Sequence, residues 1–150
     1  MIWKPNVTVA AVVEQKGNFL LVEEKISPDT ITVFNQPAGH LEAGESLVQA
    51  VIRETLEETG YTFTPEWLLG IYQWHFSEND TTYLRFAFSG SVSDFDPDYV
   101  REACIVNASW YDLPQIEALT MRHRSPLVKQ CIQDFLEDKR YPLEILTHYN

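Results

Sequence analysis

Residues 46–60, SLVQAVIRETLEETG, carry both the start and the stop of one helix, and no other stretch constrains the fold so tightly. Ser46 and Gln49 have the spacing of a capping box, and Gly60 stands where a left-handed residue ends a helix. A helix is therefore expected over residues 47–59. At 100° per residue, Val48, Val51, Ile52, Thr55, Leu56 and Thr59 fall on one broad arc, and Glu54, Glu57 and Glu58 on another. Like charges at these spacings destabilise a helix by about 0.2–0.5 kcal/mol per pair. They also crowd the half of the helix where the macrodipole prefers cations. Two readings follow. The arc is either a solvated acidic face or a cage for a divalent cation such as Mg²⁺ or Mn²⁺, which take oxygen ligands. Arg53 is spaced to pair with Glu57 along the helix or to reach back to Glu45 and brace the loop before it.

Around this helix the chain is mostly strand-like. "NVTVAAVVEQ" and "NFLLVEEK" are apolar runs joined by "KGN" and are expected to form an antiparallel pair. "SPDTIT" reads as a polar loop and "VFNQPAGHL" as a short strand running into a Pro/Gly break. "WLLGIYQWHF" and "TTYLRFAFSGSVS", separated by "SEND", form a second hairpin pattern; "SDFDPDYVRE" is an acidic loop and "ASWYDL" a brief strand. Ser125 and Pro126 open a last helix, with Leu127, Val128, Cys131, Ile132, Phe135 and Leu136 as its apolar stripe. With no repeat, linker or low-complexity tract, residues 1–150 read as one domain, a mixed sheet with helices on its faces.

Composition narrows the function classes. A net charge of −11 argues against a nucleic-acid polymer as partner, because such docking runs on basic charge. No run approaches the apolar length that spans a bilayer, no signal peptide is apparent, and Cys104 and Cys131 show neither metal nor redox spacing. The expectation is a cytoplasmic protein with two free, buried thiols and no membrane partner; its oligomeric state stays open. His40, His75 and His148 have no zinc spacing, and no P-loop or G-x-G-x-x-G is present.

Gly39, Glu45, Arg53, Glu54, Glu57, Glu58 and Gly60 stand at the spacing G-x5-E-x7-R-E-U-x-E-E-x-G-U, so residues 39–61 resemble the Nudix box. At about 6% usage per residue type, chance agreement at all seven positions is below roughly one in 10⁷. Thr55 and Tyr61 replace the bulky aliphatics of the two U positions, which bears on packing rather than chemistry. "FNQPAGHLEA", "QWHF", "LRFAF", "RSPLV" and "RYPLE" are similar to one phosphatase branch of that family along nearly the whole chain. Marker residues of the ADP-ribose, dinucleoside polyphosphate and NADH pyrophosphatase branches are absent.

The resemblance implies an α/β/α sandwich with a mixed central sheet, and a Mg²⁺-dependent hydrolase with Mn²⁺ as possible substitute. Glu54, Glu57 and Glu58 would be the metal ligands, joined by the Gly39 carbonyl, with Glu54 as proton acceptor and Glu45 and Arg53 as braces. It implies as substrates hydroxymethylpyrimidine pyrophosphate, thiamin pyrophosphate and nucleoside di- and triphosphates, with release of orthophosphate. A nucleotide pyrophosphatase and a non-catalytic binding module are the alternatives. A second base is often found before a late strand bearing a tryptophan; Trp110 fits that strand, and Glu102 is the nearest carboxylate.

Four further residues are candidate substrate contacts. Arg85, alone in an apolar strand, is either a salt bridge on an edge or a phosphate clamp. Trp74 and Phe34 are candidate stacking surfaces for a pyrimidine, Trp74 being equally suited to core packing and Phe34 better suited to it, and Lys25 could meet phosphate from its strand end. Arg122, His123 and Arg124 precede the last helix, where an anion site is one reading and a solvated patch or pairing with the acidic loop is the better one.

Overall fold

The computed structural model of the chain describes residues 1–29 and 31–150, so Thr30, within the expected 27–32 loop, lies outside the described residues. Among the described residues, eight strands build two sheets. The first has the order β5 (Ala38–His40), β1 (Asn6–Val12), β7 (Thr81–Ser93), β6 (Thr62–Phe76); β1 and β7 run parallel and the other neighbours antiparallel. The second centres on β3 (Asn18–Glu24), which pairs with β8 (Ile105–Asp112), β2 (Glu14–Gln15) and β4 (Val33–Asn35), all antiparallel.

The first expected pair therefore does not form as written: β1 and β3 lie in different sheets. Glu14 and Gln15 fold back on β3, with the Val13 carbonyl accepting from Leu20 N–H at 3.1 Å, through a turn in which Lys16 and Gly17 both have positive φ, 52° and 83°. The reason is edge occupancy. Val9–Val12 and Phe19–Val22 are buried on both faces, so each run is an interior strand of its own sheet. With β5 and β7 along its two edges, β1 has none left for β3.

"VFNQPAGHL" likewise becomes two strands. Between β4 and β5 the chain changes sheets at Gln36–Pro37, where proline has no N–H for a ladder and its carbonyl instead accepts from Ala11 N–H at 2.9 Å. The long hairpin β6–β7 forms as expected but starts earlier, at Thr62, and slips register at Pro65–Trp67 and at Leu68–Gly70.

Helix α1 (Leu47–Thr59) has the expected ends. Ser46 and Gln49 close the capping box, and Gly60 takes φ 79° while its N–H donates to the Leu56 carbonyl. α1 packs on one face of the first sheet around Val9, Ala11, Phe63, Leu68 and Phe88. Helix α3 (Leu127–Leu136) and the six-residue α2 (Leu113–Ala118) cover the other face, around Ala10, Val12, Leu69 and Ala87. This is the mixed α/β arrangement with helices on both faces.

Some details differ from expectation. Leu136 is 52% exposed at the end of α3, and Cys104 is exposed, whereas Cys131 is buried. Asp112 caps α2 in a second capping box with Gln115, a signal present in "YDLPQ" that the strand reading of "ASWYDL" passed over. No helix among the described residues is long and apolar enough to cross a membrane.

Candidate active site

Helix α1 buries more than its apolar arc. Thr55 and Thr59 are enclosed with their hydroxyls bonded back to the Val51 and Thr55 carbonyls, while Ile52 and Leu56 are half-buried. Glu54 and Glu58 are buried as well, at 7% and 4% exposure, and Glu57 is half-exposed. The solvated-face reading therefore fails for two of the three glutamates. They are covered because β5 lies across that side of the helix. Glu58 Oε1 accepts from Ala38 N–H at 2.9 Å, and a Cβ on Gly39 would collide with the Glu54 carboxylate. Only glycine lets strand and carboxylate approach so closely.

Arg53 makes all the pairings the spacing allowed, and more. Nε and Nη2 grip the two Glu45 oxygens at 2.7 and 2.9 Å; Nη1 bonds Glu54 at 2.7 Å and Glu57 at 3.2 Å; Nη2 also donates to the His40 carbonyl at 3.0 Å. This fork ties the loop, β5 and the helix together. Its hydrogen bond to Glu45 lowers the pKa of that carboxyl.

The cluster extends beyond α1. One oxygen each from Glu54, Glu57 and Glu102 lie within 4.8 Å of one another. Glu102 sits in the turn before β8, whose Cys104 carbonyl accepts from Lys25 N–H at 2.8 Å and so docks that turn at the end of β3. Burial pushes Glu54 up to about 7 and Glu58 up to about 9, with neighbouring carboxylates adding to both. Glu102 is raised by burial and then by its hydrogen bond and charge contact with Glu57. Such crowding of acids short of positive charge suits a divalent cation held by oxygen ligands.

Glu54, Glu58 and Glu102 line one side of a cleft of about 700 Å³. Gly39, Lys25, Trp74, Arg85 and Arg124 also line it, and so do Phe76, Tyr83 and Asn35. Trp74 stacks against Phe76 and Tyr83, with centroids 5.1 and 5.7 Å away, giving the cleft an aromatic wall on the β6–β7 hairpin. Phe34 does not reach the cleft. It is 4% exposed, set edge-on to Tyr111 and covered by the Arg122 guanidinium, so it is packing. Arg85 is on an interior strand and has no carboxylate partner among the described residues, which removes the salt-bridge reading. Arg122 and Arg124 pair with Glu23 and Glu24 of β3, not with the acidic loop, and the His123 ring bonds the Ile116 carbonyl. Tyr61 packs on Phe95 and accepts from Trp110 Nε1 at 3.3 Å, filling its box position with aromatic contacts.

Glu24 and Asn35 are among the cleft residues that the sequence did not single out. Both end strands otherwise read as apolar. Two successive acids closing "NFLLVEE" were the one available signal for Glu24.

Residues 3–131 match the family model of the NUDIX domain. The chain belongs to the Nudix family. It is 39% identical over 150 residues to the phosphatase NudJ of Escherichia coli strain K12, covering 99% of this chain and 95% of that protein. A solved Nudix hydrolase from Nitrosomonas europaea superposes with a TM-score of 0.95 at 57% identity, covering 97% of this chain and 98% of that one. The MutT protein from Methanosarcina mazei, 24% identical, shares the fold with a TM-score of 0.72, covering 93% of this chain and 100% of that one. As a Nudix hydrolase, this chain is an enzyme acting on phosphorus-containing acid anhydrides.

Proposed function

We propose that the chain is a Mg²⁺-dependent phosphohydrolase, able to use Mn²⁺, that releases orthophosphate from small organic pyrophosphates. Hydroxymethylpyrimidine pyrophosphate and thiamin pyrophosphate are the favoured class, with nucleoside di- and triphosphates beside them. One observation supports the reading: the carboxylates of Glu54, Glu57 and Glu102 converge, and two of them, Glu54 and Glu102, line a cleft that also holds an aromatic wall, Lys25 and Arg85. An organic ring with a short anionic tail matches that division of the cleft.

Glu54, Glu57 and Glu58, with the Gly39 carbonyl, are the residues that would hold the metal. Bound there, the ion would neutralise phosphate oxygens and acidify a water molecule. Arg53 and Glu45 keep the glutamates oriented. Glu54 accepts the proton of the attacking water, and Glu102 beside it is the alternate acceptor. Trp74 stacks on the organic ring, while Arg85 and Lys25 face the phosphates. The enzyme works in the cytoplasm on small molecules, not on nucleic-acid polymers.

The test is orthophosphate and pyrophosphate release, with and without Mg²⁺, across these substrates. Metal-dependent orthophosphate release favouring the pyrimidine pyrophosphates is expected. Pyrophosphate release from nucleoside triphosphates would overturn the substrate assignment, and no release with any metal would overturn the catalytic one.

A further inference from the structure

Arg85 lies in the middle of the first sheet, opposite Thr8 of β1 and Tyr72 of β6, and is 5% exposed. A guanidinium taken out of water must recover its hydration from partners, and carboxylates are the usual ones. Arginines around the cleft follow that rule: Arg53 is bound to Glu45, Glu54 and Glu57, Arg122 to Glu23 and Arg124 to Glu24. Arg85 does not. Its Nη1 donates to Gln36 Oε1 at 3.0 Å and to Cys131 Sγ at 3.8 Å, and its Nη2 to Asn35 Oδ1 at 3.0 Å.

All three acceptors are neutral. Gln36 is locked in that role because its own amide donates to the Val128 carbonyl at 2.8 Å. Of the five N–H donors on a guanidinium, these bonds use three. The side chain lines the cleft, and among the described residues no carboxylate is paired with its guanidinium. Asn35 also lines the cleft, and with Oδ1 committed to Arg85 its amide N–H₂ is a further donor. A cation rigidly held yet not neutralised, with spare donors beside an amide, is complementary to the adjacent oxygens of a phosphoryl group.

We propose that Arg85, held by Asn35, Gln36 and Cys131, is a phosphoryl subsite that binds the anionic tail of the substrate without a metal ion. Its place in catalysis rests on the hydrolase reading above, but the binding itself does not. The carboxylate end and the Arg85 end of the cleft thus act separately, one through a cation it must acquire and the other through a cation built into the sheet.

Calorimetry with inorganic pyrophosphate, on the full chain in EDTA, tests this. The wild-type chain is expected to bind, and Arg85→Gln to weaken binding by about tenfold or more, with Arg85→Lys intermediate because it keeps charge but loses the fork. Arg140→Gln, whose arginine pairs with Asp138 outside the cleft, is expected to bind within about twofold of wild type. Since removing a buried arginine can unfold the chain, Asn35→Asp supplies a second arm: it sets a carboxylate against the intact guanidinium. That variant is expected to melt no lower than wild type and still lose pyrophosphate binding. No binding by wild type without metal, or undiminished binding by Arg85→Gln or Asn35→Asp, overturns the subsite. Glu57→Gln is expected to keep metal-free binding, so loss of hydrolysis there with binding retained separates the two readings.

Discussion

Asp134 and Glu58 are buried to nearly the same degree, at 5% and 4% exposure, yet their surroundings drive them in opposite directions. Asp134 on α3 accepts from Tyr72 Oη at 2.7 Å, Lys139 Nζ at 2.9 Å and Gln130 Nε2 at 3.0 Å. Burial raises its pKa, but these donors outweigh it and the net shift is downward. Glu58 has one backbone donor and the charges of Glu24, Glu54 and Glu102 nearby, and burial lifts it to about 9. Asp134 has all the positive charge it needs from within the fold, whereas Glu58 requires it from outside. One carboxylate stabilises the protein; the other stores an unmet demand that a metal would fill.

The strongest way to break this contrast is at the catalytic end. Glu57→Gln is expected to lower metal-dependent phosphate release by orders of magnitude while the circular dichroism spectrum and cooperative melt persist. Unchanged turnover would remove the metal cage from the mechanism.

Next come paired substitutions of the two buried acids. Asp134→Asn leaves Lys139 and Tyr72 poorly matched and is expected to cost about 1–3 kcal/mol in urea unfolding, with turnover of the folded enzyme retained. Glu58→Gln relieves like-charge crowding while keeping the acceptor for Ala38 N–H. It is expected to raise metal-free stability above pH 8 and to reduce hydrolysis. Equal signs for the two stability changes would erase the distinction.

A pH series sharpens it further. In the metal-free folded chain Glu58 keeps its proton up to about pH 9, and Glu54 up to about pH 7, against an ordinary value of 4.5 for both. The folded state then holds more protons than the unfolded state between those limits, so stability falls as pH rises from about 4.5 toward 9. Asp134 works the other way: its contribution is present above its ordinary value of 3.8 and is lost in stronger acid. Melting temperatures with EDTA should decline across pH 5–9, and saturating Mg²⁺ should flatten that decline. A flat profile without metal would show that the glutamates are not strained.

The smallest effect belongs to the helix start. Ser46→Ala removes the hydroxyl that accepts from Gln49 N–H at 3.0 Å and should cost about 1 kcal/mol, read by thermal melting.

Features written locally were legible before any coordinates. α1 matched its expected span because Ser46, Gln49 and Gly60 specify its ends within one short segment. The β6–β7 hairpin followed from alternating apolar runs around "SEND", and α3 from its apolar spacing. Features that depend on which strand lies beside which were not legible. The β1–β3 pairing was misassigned because adjacency in sequence says nothing about competition for strand edges. Phe34 and Trp74 were both stacking candidates, with core packing the better reading for Phe34 and an even one for Trp74; the fold put one behind Tyr111 and the other in the cleft.

By itself the sequence determined the spacing of Gly39, Glu45, Arg53, Glu54, Glu57 and Glu58, and with it the family and the class of chemistry, because that pattern sits on one helix and its flanking loop. Tertiary structure decided what each charge is worth. Covering by β5 buries Glu54 and Glu58, docking of the 101–104 turn brings Glu102 alongside Glu57, and crossing of β4, β7 and α3 gives Arg85 three neutral partners instead of an acid. The energy of a charge depends on its solvent exposure and on neighbours distant in the chain, and both exist only after the sheets have assembled.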